Sequence, residues 1–328
     1  MSSQTQTKMT TMKWLLKREF WEHKGGFFWT PLVISIVVVL VTAVTVALGV
    51  THTGSQIITI NGQVVTSLAE QFSGEQKASA IAQFAEGYMG TSVPLLFVLV
   101  FTLFFYCLSA LFDERKDRSV LFWKSLPVTD SATVVSKVLV ALVLVPLITL
   151  GVAVALALVE VVLIAIGAAA LGINIFGGVL SSPALYLAPI KLAAIIPIYA
   201  LWALPTVGWL MMVGAWAKTK PFLLAVGLPL LVGGLIAWFN KILSLGWNTD
   251  WLWKYIIGRG LLSISPGSWF AYRAEDMRAI SNMEQLDMSS LLAQSWAQIS
   301  LPNIWIGAAA GAARIYAAIR LRRWRDEG

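Results

Sequence analysis

Long apolar runs separated by short polar stretches fill nearly the whole chain, and their lengths predict its elements. A helix needs roughly 20 predominantly apolar residues to cross a hydrocarbon core about 30 Å thick. Six segments meet that standard: 27–50, 91–112, 134–158 with continued apolarity to about 171, 192–217, 221–242 and 303–319. The first is too long for a signal-peptide core and lacks a convincing cleavage site, so it reads as an uncleaved span. The third exceeds one crossing, so it either tilts or continues beyond the bilayer. The sixth is short and interrupted by Arg314. The expected fold is therefore an all-α integral membrane protein with six transmembrane helices.

The polar stretches complete the layout. Residues 1–26 form an N-terminal segment, and 27–328 form the six-span domain, with a loop at 113–133 on one side and loops at 51–90 and 243–301 on the other. Within the N-terminal segment, MKWLLKREFWEHKGG puts Met12, Leu15, Leu16 and Phe20 on one helical face, flanked by Trp14 and Trp21, as expected of a helix lying in the membrane interface. The loop 243–301 carries Trp247, Trp251, Trp253, Trp269 and Trp296 among Gly258, Gly260, Pro266 and Gly267. That mixture predicts broken or re-entrant helices at a water interface.

Composition agrees with this class: 58% of residues are hydrophobic and only 12% are charged, against about a quarter charged in soluble domains. The net charge of +7 follows the membrane and does not point to nucleic acid. The N-terminal segment contributes Lys8, Lys13, Lys17, Arg18 and Lys24, and loop 113–133 adds Arg115, Lys116, Arg118 and Lys124. With Lys137, Lys218, Lys220, Arg320, Arg322, Arg323 and Arg325, sixteen of the 24 basic residues fall on one side, which predicts that side, with both termini, to be cytoplasmic. Splitting the third run into two crossings would separate Lys218 and Lys220 from the other basic residues.

Little recognisable chemistry accompanies the spans. Cys107 is the single cysteine, which excludes a disulfide framework or a cysteine-based zinc site. His23 and His52 are separated by an apolar run, so no metal site is expected. No G-x-x-x-x-G-K-[ST], H-E-x-x-H, G-x-S-x-G or Ser-x-x-Lys motif occurs, so nucleotide binding by a P-loop and the familiar hydrolase arrangements are not expected of this chain. Glu160 lies 23 residues beyond Lys137, about 34 Å along a helix. That spacing places it at the outer interface, with a proton-linked or substrate-binding role as the alternative. Arg314, six residues before Arg320, is expected to snorkel to the near surface, and no ion pair between the two is expected. Aromatic stripes recur at Phe97, Phe101, Phe104 and Phe105 and at Trp202, Trp209 and Trp216; packing is the ordinary reading of both. Gly307 and Gly311 form a small-residue face suited to helix contact.

The charged loop is the most distinctive stretch. In FDERKDRSVLFWKSLPVTD, Asp113, Glu114, Asp117 and Asp130 balance Arg115, Lys116, Arg118 and Lys124, more acid than a positive-inside anchor requires. Val120, Leu121, Phe122 and Trp123 then form an apolar knob. Pro127 stops any helix, and Thr129 or Asp130 can cap the next one. A short helix of this kind is shaped to insert into a groove on another protein.

In the interfacial segment KWLLKREFWEHK, the loop ERKDRSVLFWKSLPVT and the layout of spans, the chain resembles the membrane permease subunits of type-2 ATP-binding-cassette exporters. The resemblance implies that the loop holds a coupling helix that docks on a separate cytoplasmic ATPase. Glu114, Arg115, Arg118, Phe122, Trp123, Lys124, Leu126 and Pro127 would do the docking, with Trp14, Leu15, Leu16, Phe20 and Trp21 as the interfacial helix. It implies two permease copies, as a homodimer, with two ATPase subunits in a bacterial cytoplasmic (inner) membrane. ATP and magnesium would be held by the ATPase, leaving this chain with no cofactor and no enzymatic activity of its own. Phe97, Phe101 and Phe105 would line the path of a hydrophobic or amphipathic substrate. The alternatives are an ATP-independent channel or secondary transporter, an intramembrane lipid-processing enzyme, or a structural scaffold for a membrane complex.

Overall fold

The computed structural model describes residues 2–54, 58–60, 63–65, 74–117, 128–272 and 288–324. Six helical runs among them are long and apolar enough to cross a membrane: Gly25–His52, Lys77–Lys116, Asp130–Ala170, Pro183–Trp216, Leu223–Ile242 and Pro302–Trp324. The chain is a multi-pass membrane protein. An N-terminal helix, Ser2–Glu22, precedes the first span. One small departure from an all-helical chain is an antiparallel hairpin after the first span, pairing Ile58–Ile60 with Gln63–Val65.

Proline chemistry shapes several spans. Turns of π-helix at Gly25–Trp29, Val140–Leu144 and Leu223–Gly227 lie just before Pro31, Pro146 and Pro229. Proline has no N–H to give to the carbonyl four residues back, and the helix locally widens instead. For Pro229 that carbonyl belongs to Ala225, and the indole N–H of Trp209 donates to it at 2.9 Å. The third span starts where Thr129 caps it, its hydroxyl accepting from the Ala132 N–H at 3.2 Å. It then runs 41 residues without a break, from Asp130 to Ala170. The fourth span also begins earlier than its apolar run, at Pro183.

The fourth and sixth spans make the closest approach. A Cβ on Gly311 would come within 2.5 Å of the Leu204 backbone, and one on Gly208 within 2.5 Å of the Gly311 carbonyl oxygen. Gly311 of the expected small-residue face thus sits in a backbone-to-backbone contact. The first and third spans lie side by side and run in the same direction. Val46 meets Gly167, and the groove between the spans is lined by Val39 and Leu40 beside Val159. The segment after the fifth span is built of short pieces, Leu252–Gly258, Arg259–Leu262 and Ser268–Tyr272. They fold back against the middle of the fourth span. Thr206 donates to the Arg259 carbonyl at 3.1 Å, Tyr199 to that of Ile264 at 2.9 Å, and the Trp202 indole to the Ser268 hydroxyl at 3.0 Å.

Two expectations about ionisable residues are corrected here. Glu160 does not reach an interface: it is fully buried, and neither carboxylate oxygen has a hydrogen-bond partner among the described residues. The pairing of the first and third spans puts it level with Val39 and Leu40, about 18 Å along the helix from Phe27 and so inside a core about 30 Å thick. Counting from Lys137 misplaced it because Lys137 lies level with Glu19, below the apolar run. Arg314 does not snorkel. Its guanidinium donates to the Pro205 carbonyl at 3.0 Å and lies 5.6 Å from the Trp209 ring centroid. The two residues make no ion pair, as expected.

Candidate functional site

Charged side chains from positions 18 to 322 converge at the end of the bundle that carries both terminal helices and the loop after the second span. Lys137, at the base of the third span, is buried between two carboxylates, with Nζ 2.8 Å from Glu19 Oε1 and 3.0 Å from Glu114 Oε1. Glu19 belongs to the N-terminal helix and Glu114 to the end of the second span. Arg322, near the end of the sixth span, pairs with the other oxygen of Glu114 and sits 3.2 Å from Asp130 Oδ1. Arg18 contacts Glu19 and reaches Glu114 at 3.4 Å. The Tyr106 hydroxyl donates to Glu19 Oε2 at 3.0 Å. Three acids and three bases thus join four elements that are remote in sequence.

The burial explains why the groups must be matched. Taking a charge out of water costs several kcal/mol unless a partner of opposite sign and further hydrogen bonds compensate. Burial alone would push the Glu19 carboxyl upward, but Lys137 and Arg18 outweigh it and hold the group below its ordinary range. An aromatic group roofs the node: Tyr106 lies edge-on to Phe27 and to His23, with ring centroids 5.0 Å apart in each pair. Glu19, Glu22 and His23 also present ligand atoms within 4.8 Å of one another. The Glu19 oxygens are already taken by Lys137, Arg18 and Tyr106, so this cluster belongs to the node.

Next to the node, Arg115 grips the end of the fourth span. Its guanidinium donates to the carbonyls of Gly214, Ala215 and Ala217. The last carbonyls of a helix lack internal partners and carry the negative end of its dipole, so a cation there is favoured twice over.

The residues expected to dock a partner now divide. Glu114 and Arg115 turn into the bundle, where their contacts hold the loop's root in place. Arg118, Phe122, Trp123, Lys124, Leu126 and Pro127 lie outside the described residues. In the N-terminal helix, Leu15 is buried and Leu16 and Phe20 pack on the protein core. Trp14 and Trp21 are exposed, beside Lys17 and Lys24 at 5.1 and 5.5 Å from their ring centroids. The apolar face expected to meet lipid therefore meets protein, and the tryptophan–lysine pairs remain outside. Phe97, Phe101 and Phe105 are exposed on the surface of the chain, and Phe105 stacks on Phe222, just before the fifth span, at 6.3 Å. Of the tryptophan stripe, Trp202 is buried core, whereas Trp216 is exposed.

One site residue carried no signal in the sequence. Arg259, in the folded-back segment, is buried with its guanidinium 4.1 Å from the Trp202 ring centroid. It donates through Nη1 to the Asn303 carbonyl, while Nε and Nη2 have no partner among the described residues. Gly307 makes room for it, since a Cβ there would lie 2.3 Å from Nη2. A glycine opposite an arginine in separate segments is visible only once the fold brings them together. No protein-family model, curated protein or solved structure matches the chain.

Proposed function

We propose that the chain is the permease half of an ATP-driven exporter, moved by a separate cytoplasmic ATPase that docks on loop 113–133. The observation that carries this reading is the wiring of the loop's root. Glu114 is tied to the N-terminal, third and sixth helices, and Arg115 holds the fourth. A force at Glu114 and Arg115 would reach the N-terminal helix and the third, fourth and sixth spans through these contacts. The concentration of basic residues supports placing this end in the cytoplasm of a bacterial inner membrane. Trp14 and Trp21 suit the interfacial position of the N-terminal helix, and the folded-back pieces after the fifth span suit a re-entrant segment on the opposite side. Because the Phe97, Phe101 and Phe105 stripe is exposed on the surface of the chain, it would line a substrate path only between two copies. That supports a homodimer carrying a hydrophobic or amphipathic cargo. ATP and magnesium would belong to the ATPase.

One observation favours a second reading, an ion-coupled transporter that needs no ATPase: Glu160 is a buried carboxyl with no hydrogen-bond partner among the described residues, and such residues often mark ion or proton routes. Co-purification from the native host in detergent separates the readings. An ATPase subunit should accompany the wild-type chain and be lost from a folded variant carrying Phe122→Ala, Trp123→Ala and Lys124→Ala. If no ATPase accompanies the wild type, the exporter reading fails and the ion-coupled one takes its place.

A further inference from the structure

The groove between the first and third spans has a volume of about 710 Å³. Phe28, Ile36 and Leu40 on one wall and Val159 on the other are exposed, so it opens sideways to hydrocarbon. Its described lining is apolar except for Ser35, whose hydroxyl already donates to the Pro31 carbonyl at 2.8 Å. From Phe28 to Leu40 the groove follows the helix for about 18 Å, close to the depth of one leaflet of a core about 30 Å thick. Over that length its volume gives a mean cross-section of about 40 Å², roughly half that of a helix 10 Å across. The shape suits an acyl chain better than a helix.

One end of the groove carries a charge. Phe20, Phe28, Leu32, Ile36 and Leu40 line it at helical intervals, and Lys24 falls midway between Phe20 and Phe28. The chain is helical through this point: Lys24 has helical backbone angles, and the N–H groups of His23 and Phe27 donate to the carbonyls four residues back. Residues four apart share a helix face, so Lys24 stands in line with the groove, directly before Gly25, where the first span starts. Lys24 is exposed, with Nζ 5.5 Å from the ring centroid of the exposed Trp21, and it makes no ion pair among the described residues. The neighbouring acids are committed elsewhere, Glu22 to Arg18 at 3.4 Å and Glu19 to the node. Lys17 beside Trp14 repeats the arrangement seven residues earlier on the same face.

We propose that the groove holds one acyl chain of an anionic phospholipid from the leaflet nearest the charged node, with the phosphate drawn to Lys24. The groove supplies an apolar bed of leaflet length, and Lys24 supplies an unmatched cation in line with its end. A lysine at a membrane surface favours anionic lipid, and the Trp21 indole suits the boundary between apolar and wet surroundings. A zwitterionic headgroup fits less well, because its own ammonium would accompany the phosphate to a lysine. This proposal requires neither an ATPase nor transport.

The test uses the full chain in detergent and a phosphatidylglycerol with a diazirine near the end of one acyl chain. Adducts are located by mass spectrometry and competed with unlabelled phosphatidylglycerol or phosphatidylcholine of the same chain length. They should fall on the groove wall near Ile36, Leu40 or Val159, and phosphatidylglycerol should compete ~5-fold better, the preference expected of one lysine at a membrane surface. Lys24→Gln should remove that preference, whereas Lys218→Gln, at an exposed lysine between the fourth and fifth spans, should keep it. Gly151→Leu should abolish the labelling: Gly151 lines the groove and a Cβ there meets nothing within 4 Å, so the larger side chain fills the space without strain. Labelling that survives Gly151→Leu would place the tail elsewhere and overturn the proposal. So would adducts absent from the groove wall, which would leave the groove to another occupant such as a second copy of the chain. Equal competition by the two lipids in the wild type would mean that Lys24 does not read the headgroup. Equal loss of preference in Lys24→Gln and Lys218→Gln would assign the charge effect to the basic surface as a whole, and either result also overturns the proposal.

Discussion

Glu19 and Glu160 are both fully buried, yet one is met by Lys137, Arg18 and Tyr106 and the other by no polar atom among the described residues. The same contrast separates Arg322, which pairs with two acids, from Arg259, whose guanidinium rests on an indole and one carbonyl. At the end that carries the termini, buried charge is balanced group by group. In the core and in the folded-back segment, Glu160 and Arg259 have no partner of opposite charge among the described residues. A compensated buried network fixes a geometry, because removing any member strands another. A buried polar group without such a partner instead leaves a desolvation cost uncompensated.

The sharpest way to break this comparison is to remove the centre of the node. Lys137→Met leaves Glu19 and Glu114 buried without the cation between them and should destabilise the protein by about 3–5 kcal/mol, measured by thermal unfolding in detergent. A loss below about 1 kcal/mol would mean the node is not the fastening described. Glu160→Met should act in the opposite direction, raising stability by ~1–3 kcal/mol because no partner is stranded. If it destabilises the protein as Lys137→Met does, Glu160 has a partner of its own and the contrast fails.

Acid provides the mildest perturbation. A carboxyl held below its ordinary range contributes stability above its unfolded value and loses that contribution as the pH falls through its folded one. For Glu19 the loss should therefore set in below the ordinary glutamate value near 4.5. The wild-type melting temperature should drop in that range, and Glu19→Gln should flatten the drop. A midpoint that falls equally in both proteins would assign acid sensitivity to other groups.

The six spans were legible because a bilayer imposes a length and an apolarity that no other environment demands over so many residues. The Thr129 cap and the Gly311 contact were legible for similar reasons, since local chemistry decides them. The node was not. Arg18, Lys137 and Arg322 look like ordinary members of a basic fringe and Glu114 like one of the loop's acids, and only helix packing shows that they face one another. The depth of Glu160 was lost with them, because a basic residue is a good ruler for the membrane surface only when it stays in water. Lys137 does not.

The Arg115 grip has a mechanical meaning. Its guanidinium closes on the last carbonyls of the fourth span, and that span is locked to the sixth where Gly208 and Gly311 bring their backbones together. Through Arg115 the end of the second span is thus fastened to a pair of helices, the fourth and the sixth, that already touch backbone to backbone, so three spans share one anchorage at this end.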